Sequence, residues 1–392
     1  PISAVKLALH LTVLAITPYG VHRDEFRYFS MGRHLRLWRM DFPPLIAILG
    51  NIQRALFHDS LAAARVLAAF EGTLVLVLTA LIARELGGRT FAQMLAMLAV
   101  LMAPVFLRAA NLFQPVVLDQ LWWTLALFAL ARIVRGDGRS VRTWWIIFGV
   151  ACGFGLLTKF SIIFFAVAAL CALLVTPMRR SLATPWPWLG ALLSLLLFAP
   201  NAWWQAQHGF VYLDFVREIH ARDVRIGRTD GFLPGQLLVG AGPLLAPLWI
   251  AGLAFTAMSS RWRVLAWWYA VALLLFWLSS ARDYYLAPAY PMLLAAGCVA
   301  LVAGIGRLRR GPALAARAVV ALVFCAAFAS TVAIALPLAP VGSEGWRTSR
   351  GVHDNFAEQI GWPELVAQVA AVHRALPEAE RAHAAIFANN YG

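Results

Sequence analysis

The sequence predicts an all-α protein that crosses a membrane many times, and two observations carry this prediction. Hydrophobic residues make up 61% of the 392 positions and charged residues only 13%, too few charges to cover a water-soluble surface. The chain also alternates between long apolar runs and short polar loops. The net charge of +14 is explained by basic loops against anionic lipid headgroups, and no RNA-binding or zinc-finger pattern indicates a nucleic-acid partner.

Eleven apolar segments are predicted to span the bilayer, which requires about 20 apolar residues per helix. They are residues 3–17, 61–83, 93–107, 119–134, 144–157, 160–177, 186–203, 236–258, 264–280, 286–304 and 314–336. The first segment is interpreted as a helix rather than a signal peptide because no small-residue cleavage site follows it. Only Thr158 and Lys159 separate the fifth segment from the sixth.

The loops fall into two alternating sets whose charge predicts their orientation. One set has few acids and contains Lys and Arg at about twice the density of the other, which is typical of cytoplasmic loops. It comprises residues 84–92, 131–143, 178–185, 259–263 and 305–317. The opposite set is therefore predicted to face the periplasm of a bacterial inner membrane, and it comprises residues 18–60, 108–119, 157–160, 204–235 and 281–285.

Two domains are predicted along the chain. They are residues 1–336, a transmembrane domain with its largest periplasmic loops at 18–60 and 204–235, and residues 337–392, the beginning of a periplasmic α/β domain. In the second domain, Trp362-Pro363-Glu364 is expected to open a helix that ends near Leu376, and residues 384–388 are expected to form a strand. Because the chain starts at Pro1 rather than Met, we expect it to be truncated at both ends.

The first periplasmic loop contains an adjacent acid pair, Asp24 and Glu25, soon after the first helix leaves the bilayer. A carboxylate at the membrane surface can act as a general base toward a hydroxyl or amine. The neighbouring Arg23 and Arg27 would keep it ionised or bind an anionic substrate. The alternative from the pattern alone is a charge cluster at a helix end.

Residues 25–40 of the same loop predict an amphipathic helix lying on the membrane surface. The apolar stripe is Tyr28, Met31, Leu35 and Trp38, and the basic stripe is Arg33, Arg36 and Arg39. The Pro43-Pro44 pair after Asp41 and Phe42 ends this helix, because proline cannot continue it.

Five further polar positions in the periplasmic loops are candidates for a site. Asp119 enters a helix start, where it either caps the helix or faces a substrate. Lys159 lies between two apolar segments, where it either neutralises a phosphate or extends to the headgroups. Arg282 with Tyr284 and Tyr285 can bind a phosphate or sugar, or belong to an interfacial aromatic belt.

Two histidines and the aspartate two positions before the proline pair complete the candidate set. His208, His220 and Asp41 are candidate substrate-binding residues, and no ligand spacing supports either histidine as a metal ligand.

The order of these motifs resembles the multi-spanning GT-C glycosyltransferases, and more narrowly the protein mannosyltransferase and aminoarabinose transferase family, glycosyltransferase family 39. The motifs are DEFRYF, DFPPL, QPVVLD, GLLTKFS, PNAWWQAQHGF and RDYYLAPAYPMLLAAG, in that order. The resemblance runs from about residue 19 to Gly392 and makes residues 1–336 the catalytic domain. It implies inverting transfer of a sugar from a polyprenyl-phosphate carrier to a lipid, glycan or protein acceptor outside the cytoplasm.

The resemblance also implies roles for single residues. Asp24 would be the catalytic base, Glu25, Arg27 and Tyr28 its neighbours around the donor, and Asp119 the second carboxylate of the site. Lys159 would bind the donor phosphate, with Arg282, Tyr284 and Tyr285 nearby.

One departure from the family pattern concerns a phosphate contact. Some members carry a basic residue where this chain has Phe42, so the contact is expected from Arg39 or His22 instead. No cofactor or metal is expected, although a divalent metal at Asp24, Glu25 or Asp119 stays an open alternative.

Two other function classes share the predicted topology. A secondary transporter would place charged residues at the bilayer centre and show internal repeats, whereas here Glu71 is the only acid in the middle of a predicted span and no repeat is found. A lipid-linked polymer ligase would use the same face of the membrane. The acid pair of the first loop favours the transferase, and the basic outer loops favour an anionic acceptor such as lipid A.

Overall fold

The computed structural model describes residues 1–136 and 140–388, and within these ranges all regular structure is helical. The predicted loop 131–143 and the predicted domain 337–392 therefore lie partly outside the described residues.

Nineteen α-helices follow one another along the described chain. They are α1 Ile2–Ile16, α2 Arg23–Arg33, α3 Leu45–Phe57, α4 Leu61–Glu85, α5 Thr90–Leu101, α6 Pro104–Ala109, α7 Pro115–Arg135, α8 Ser140–Leu156, α9 Ile162–Leu174, α10 Pro185–Gln207, α11 Val211–Arg225, α12 Phe232–Gly235, α13 Ala246–Met258, α14 Arg263–Leu278, α15 Tyr290–Ile305, α16 Arg310–Ala335, α17 Glu344–Val352, α18 Trp362–Ala375 and α19 Glu378–Arg381. Short helical turns of other pitch occupy Pro177–Ala183, Gln236–Gly240, Pro243–Leu245, Asp283–Ala289 and Asp354–Gln359.

The predicted spans coincide with helices, but their count of eleven is not confirmed. Among the described residues, 4 helices are long and apolar enough to cross a membrane, or up to 6 if two sharply bent helix pairs each count as one span. Several others are too short: α5 has 12 residues and so extends only about 18 Å, against a hydrocarbon core of about 30 Å. Breaks and bends interrupt the apolar runs that the sequence presents as continuous.

The centre of the bundle is formed by α7 and α15, the two most buried of these apolar helices. About 78% of the apolar window of each is buried inside the protein, whereas α16 is only 22% buried and lies at the periphery. Glycines let the neighbouring helices approach α15 closely, because a Cβ atom on Gly252 of α13 would lie 1.9 Å from the carbonyl oxygen of Leu293. This packing fixes the position of the loop that precedes α15.

The amphipathic helix of the first loop is shorter than the sequence predicts. α2 begins at Arg23 because His22 caps it, with Glu25 completing a capping box, and it ends at Arg33 instead of residue 40. The chain then turns, with Leu37 in the left-handed region at φ 50°. Leu35 and Trp38 therefore do not continue the helical stripe that starts at Tyr28.

The C-terminal region confirms one prediction and corrects another. The predicted helix is present as α18, Trp362–Ala375. The predicted strand is wrong, because residues 384–388 have no strand pairing and are exposed. A strand needs a partner for its backbone groups, and the described chain provides none there. The α/β domain is therefore not confirmed.

Candidate active site

Asp24 and Glu25 are adjacent in the sequence but lie in opposite environments. The Glu25 side chain is fully buried, and its carboxylate accepts hydrogen bonds from the Arg65 guanidinium at 3.0 and 2.8 Å. It also accepts from the backbone N–H groups of Phe113, at 2.9 Å, and His22, at 2.8 Å. A carboxylate with four donors has little capacity left for a substrate, so this geometry favours a structural role for Glu25.

Asp24 is the member of the pair that reaches solvent. Its side chain is 25% exposed, and its Oδ2 atom accepts from Nε2 of Gln114 at 3.3 Å. The Arg23 Nε atom lies 3.7 Å from Oδ1. Its backbone N–H donates to Nδ1 of His22 at 3.0 Å, which fixes the first turn of α2. Asp24 is thus an accessible carboxylate on a rigid helix start.

Asp119 and Lys159 form a second group near Asp24. Gln114 directly precedes α7, which places Asp119 about 7 Å further along the same helix. Asp119 is buried and accepts from the Ser161 hydroxyl at 2.8 Å, while Nζ of Lys159 lies 3.8 Å from its Oδ2. At 3.8 Å the lysine is only loosely paired, so its ammonium can still bind another anion.

Lys159 lies in a break between α8 and α9, where both Thr158 and Lys159 donate their backbone N–H to the carbonyl of Gly155. Its Nζ atom lies 3.9 Å from the ring centre of Tyr285 and 5.3 Å from that of Tyr284. Cation–π contacts with two rings stabilise the ammonium without neutralising its charge. The structure therefore brings together the Thr-Lys and Arg-Asp-Tyr-Tyr motifs.

Arg27 faces the same region from α2. Its guanidinium stacks over the rings of Phe42, at 5.0 Å, and Phe215, at 4.7 Å. Phe42, the position where a basic residue was expected, thus supports an arginine instead. Burial raises the pKa of the neighbouring Tyr212, an effect that the charge of Arg27 opposes and that of Asp119 reinforces. The Tyr212 ring also contacts the rings of Phe42, at 5.2 Å, and Phe160, at 4.5 Å, which connects Arg27 to the segment that contains Lys159.

Of the two residues expected to replace the missing basic residue, one faces an acid outside the candidate set and the other lines a separate depression. His22 is buried, with Nε2 3.0 Å from a carboxylate oxygen of Glu358. Arg39 is exposed and borders a separate depression of about 350 Å³, together with Asp41, Arg36 and Trp204. Asp41 therefore does not lie with Asp24 and Asp119.

The remaining predicted residues divide between the core and the surface. Tyr28 is buried, with its ring 6.0 Å from that of Phe42. His208 is exposed and stacks on Trp204 at 4.1 Å, beside the depression that contains Asp41, and His220 is exposed on α11.

Arg282 is held by an acid that the sequence analysis did not select. Its Nε atom donates to Oδ2 of Asp223 at 2.6 Å, and Arg222 donates to the other carboxylate oxygen at 3.1 Å. Asp223 is nearly fully buried, so Arg282 is oriented rigidly toward the site. The signal for Asp223 in the sequence was weak, because it is one of four acids in the loop 204–235 and no motif distinguishes it from the others.

Other functional neighbours were also missed. Arg65 is a charged residue inside a predicted span, which is a recognisable signal, and it is the partner of Glu25. Arg108 has its pKa lowered to about 10, mainly by burial, and the charges of Tyr284 and Asp283 oppose this decrease. No periodicity or motif pointed to Arg108.

Among the residues that the structure describes, no group of three or more His, Cys, Asp or Glu side chains is arranged to hold a metal ion. Metal dependence stays a prediction.

Comparison with known proteins identifies the type of fold. Residues 41–204 match the model of the dolichyl-phosphate-mannose-protein mannosyltransferase family. The structure superposes on ArnT from Cupriavidus metallidurans bound to undecaprenyl phosphate with a TM-score of 0.65 and 19% identity, covering 95% of this chain and 80% of that one. This chain has a GT-C glycosyltransferase fold.

A second solved structure with this GT-C fold is the oligosaccharyltransferase AglB from Archaeoglobus fulgidus, in complex with an inhibitory peptide and a dolichol-phosphate. Its TM-score is 0.61 at 13% identity, and the match covers 100% of this chain and 60% of AglB. No curated protein matches the sequence significantly. The family match includes Asp119 and Lys159 but not Asp24 or Arg282, so it covers only part of the site.

Proposed function

We propose that this GT-C protein transfers a sugar, with inversion, from a polyprenyl-phosphate carrier to an acceptor at the periplasmic face of a bacterial inner membrane. The observation that carries the proposal is the loosely paired ammonium of Lys159, 3.8 Å from Asp119 and stacked on Tyr285. Such a cation is suited to binding the phosphate of a lipid carrier. The similarity to an ArnT structure that contains undecaprenyl phosphate supports this assignment.

The proposed mechanism assigns one task to each side of the site. Asp24 accepts the proton of the acceptor nucleophile as that nucleophile attacks the anomeric carbon. The bond between the anomeric carbon and the phosphate oxygen breaks, and the carrier phosphate leaves with its negative charge. Lys159, assisted by Arg27 and Arg282, stabilises that charge. Tyr284 and Tyr285 orient Lys159 toward the leaving group.

The acceptor is proposed to be anionic. The separate depression of about 350 Å³ is lined by Arg36, Arg39 and His34, against a single acid, Asp41. Basic groups in this number attract phosphate-bearing lipids or glycans. His208 lies beside this depression on Trp204, which gives Asp41 and His208 a role in acceptor binding.

The basic charge at the opposite end of the bundle supports a periplasmic location for the proposed site. There the buried Glu85 pairs with Arg132 and Arg135, each at 2.9 Å, at the basic end of α7. Asp119 is near the other end of α7. By the positive-inside rule, this arrangement supports a periplasmic location for the proposed site.

The test uses the purified protein in lipid with a radiolabelled polyprenyl-phosphate hexose. The wild type is expected to release polyprenyl phosphate, and Asp24→Asn should lose about two to four decades of rate, as expected for a lost general base. The matched control is Asp214→Asn, which changes an exposed acid of the fourth outer loop. A loss below threefold in Asp24→Asn would exclude it as the base, and no release from several sugar donors would reject the transferase.

A further inference from the structure

The segment from Pro337 to Trp362, here called the strap, lies against the first loop, which contains Asp24. The contacts begin where the chain enters the loop: the Thr17 hydroxyl donates to the carbonyl of Pro337 at 2.9 Å, and the Tyr19 hydroxyl donates to that of Ala339 at 2.8 Å. Ring contacts follow, from Tyr19 to Phe356 at 5.8 Å and from Phe26 to Trp362 at 5.2 Å. The strap is therefore packed against the start of the first loop and the first turn of α2.

Gln359 joins the strap to the backbone at the start of the loop. Its carbonyl accepts from the Gly20 N–H at 3.0 Å, and its side-chain oxygen accepts from Nη2 of Arg65 at 3.2 Å. The same Arg65 atom donates to the carbonyl of Gly20 at 2.8 Å and to Glu25. The strap, α4 and the start of α2 thus share one buried hydrogen-bond network.

Glu358 contacts the two residues that directly precede Asp24. Its Oε1 atom lies 3.0 Å from Nη2 of Arg23, and its Oε2 atom lies 3.0 Å from Nε2 of His22. The His22 ring N–H is not aligned for a hydrogen bond, so this second contact is electrostatic. The other ring nitrogen of His22 accepts the backbone N–H of Asp24. One imidazole therefore separates Glu358 from the backbone of Asp24.

Arg23 lies between two carboxylates. Its distance to Glu358 is 3.0 Å, whereas its Nε atom is 3.7 Å from Asp24. The closer partner holds the guanidinium on the strap side. Without Glu358, the attraction of Asp24 would draw the guanidinium toward the carboxylate that must accept a proton. Glu358 thus affects Asp24 both through His22 and through Arg23.

We propose that Glu358 is a positioning residue: through His22 and Arg23 it holds the start of α2 so that the Asp24 carboxylate faces the acceptor. This inference rests on the proposed transferase function, and it assigns a role in that reaction to the strap. Glu358 touches neither substrate, so its loss should impair turnover while leaving donor binding at Lys159 intact.

The experiment compares Glu358→Ala, Glu358→Gln and the wild type in lipid bilayers, with Glu344→Ala as the matched control. Glu344 is an exposed acid of the same strap that contacts Arg347 at 3.4 Å. We expect Glu358→Ala to lower kcat about 10- to 100-fold with the donor KM within threefold, since small displacements of a catalytic group cost rate at this scale. Glu358→Gln keeps an oxygen acceptor, so it should lose less than Glu358→Ala.

Amide hydrogen exchange in peptides covering residues 19–30 is the second measurement, and it does not depend on activity. Exchange should become faster in Glu358→Ala and stay unchanged in Glu344→Ala. Unchanged exchange, or unchanged kcat, in Glu358→Ala would overturn the proposal, as would equal losses in Glu344→Ala. If Glu358→Ala does not fold, Glu358→Gln decides by the same two measurements.

The failure of this inference is distinguishable from failure of the proposed function. A wild type that releases no polyprenyl phosphate from any donor rejects the transferase and with it the catalytic role of Glu358. Hydrogen exchange then shows separately whether Glu358 holds the first loop. A wild type that turns over normally, beside a Glu358→Ala variant with wild-type kcat, rejects the positioning role alone.

Discussion

The role of each residue in this site depends on its surroundings rather than on its residue type. Asp24 and Glu25 are neighbours with the same chemical group, but successive residues of a helix point about 100° apart. That rotation directs Glu25 toward Arg65 in the core and leaves Asp24 25% exposed. Surroundings also distinguish the two cations: Lys159 has a loose partner, Asp119, at 3.8 Å, whereas Arg282 is tightly paired with Asp223.

Lys159 should therefore contribute mainly to donor binding. We expect Lys159→Gln to raise the donor KM and weaken polyprenyl-phosphate binding about 10- to 100-fold, because a hydrogen bond to a charged group contributes about 1.5–3 kcal/mol. Lys159→Arg keeps the charge and should retain more affinity. Titration of the protein in nanodiscs with polyprenyl phosphate measures both effects, and wild-type affinity in Lys159→Gln would contradict the assignment.

At the scale of elements, sequence patterns identified helices well but placed their ends poorly. The apolar periodicity of residues 25–40 suggested one helix, whereas α2 ends at Arg33 because the chain reverses there to pack on α3. The strap shows the opposite case: its hydrophilic sequence has no motif, yet it determines how the first loop is held. The helix propensity of a segment gives no information about such contacts between residues that are distant in the chain.

The strap should also respond to pH through His353. Its side chain caps the helical turn Asp354–Gln359, and burial lowers its pKa to about 2, an effect that the charges of Arg108, His22, Arg228 and Arg282 reinforce. An unfolded histidine titrates near 6.5, so the neutral ring contributes full stability above about pH 6.5. That stability is lost as the pH falls, by up to about 1.4 kcal/mol per pH unit.

The measurement is proteolysis of the strap in nanodiscs between pH 5 and 8, with rates corrected by an unstructured peptide. Wild-type cleavage should accelerate below pH 6.5. His353→Asn keeps a capping oxygen without a titrating ring, so its cleavage should depend less on pH. Equal pH dependence in the two proteins would refute the role of His353.

For the whole molecule, the bundle depends on close approach of helices at small residues. Gly252 on α13 and Gly297 on α15 face each other, and a Cβ atom on Gly297 would lie 2.0 Å from the carbonyl oxygen of Leu248. Burial of apolar surface does not distinguish protein from lipid inside a bilayer, so van der Waals packing at such contacts holds the helices together. The same packing fixes α15 and the Tyr284-Tyr285 turn before it.

Gly252→Ala should therefore destabilise the folded protein. The new Cβ atom would lie 1.9 Å from a backbone oxygen, and overpacking of this kind typically costs about 1–3 kcal/mol. Gly304→Ala, on α15 with no atom within 4 Å of the added Cβ, is the control and should be neutral or slightly stabilising. Thermal unfolding in detergent compares them, and equal midpoints would show that the contact is not essential.

The sequence by itself determined the membrane class, the helical architecture, the GT-C resemblance and most of the polar residues near the site. Apolar composition and the charge difference between the two sets of loops are properties of the sequence. The order of the motifs can likewise be recognised without a structure. Four relations are visible only in the folded protein: Glu25 pairs with Arg65, Phe42 packs on Arg27, Asp223 holds Arg282, and Glu358 contacts His22 and Arg23 beside Asp24. These relations join residues distant in the chain, and their energies depend on burial and direction, which one-dimensional spacing does not encode.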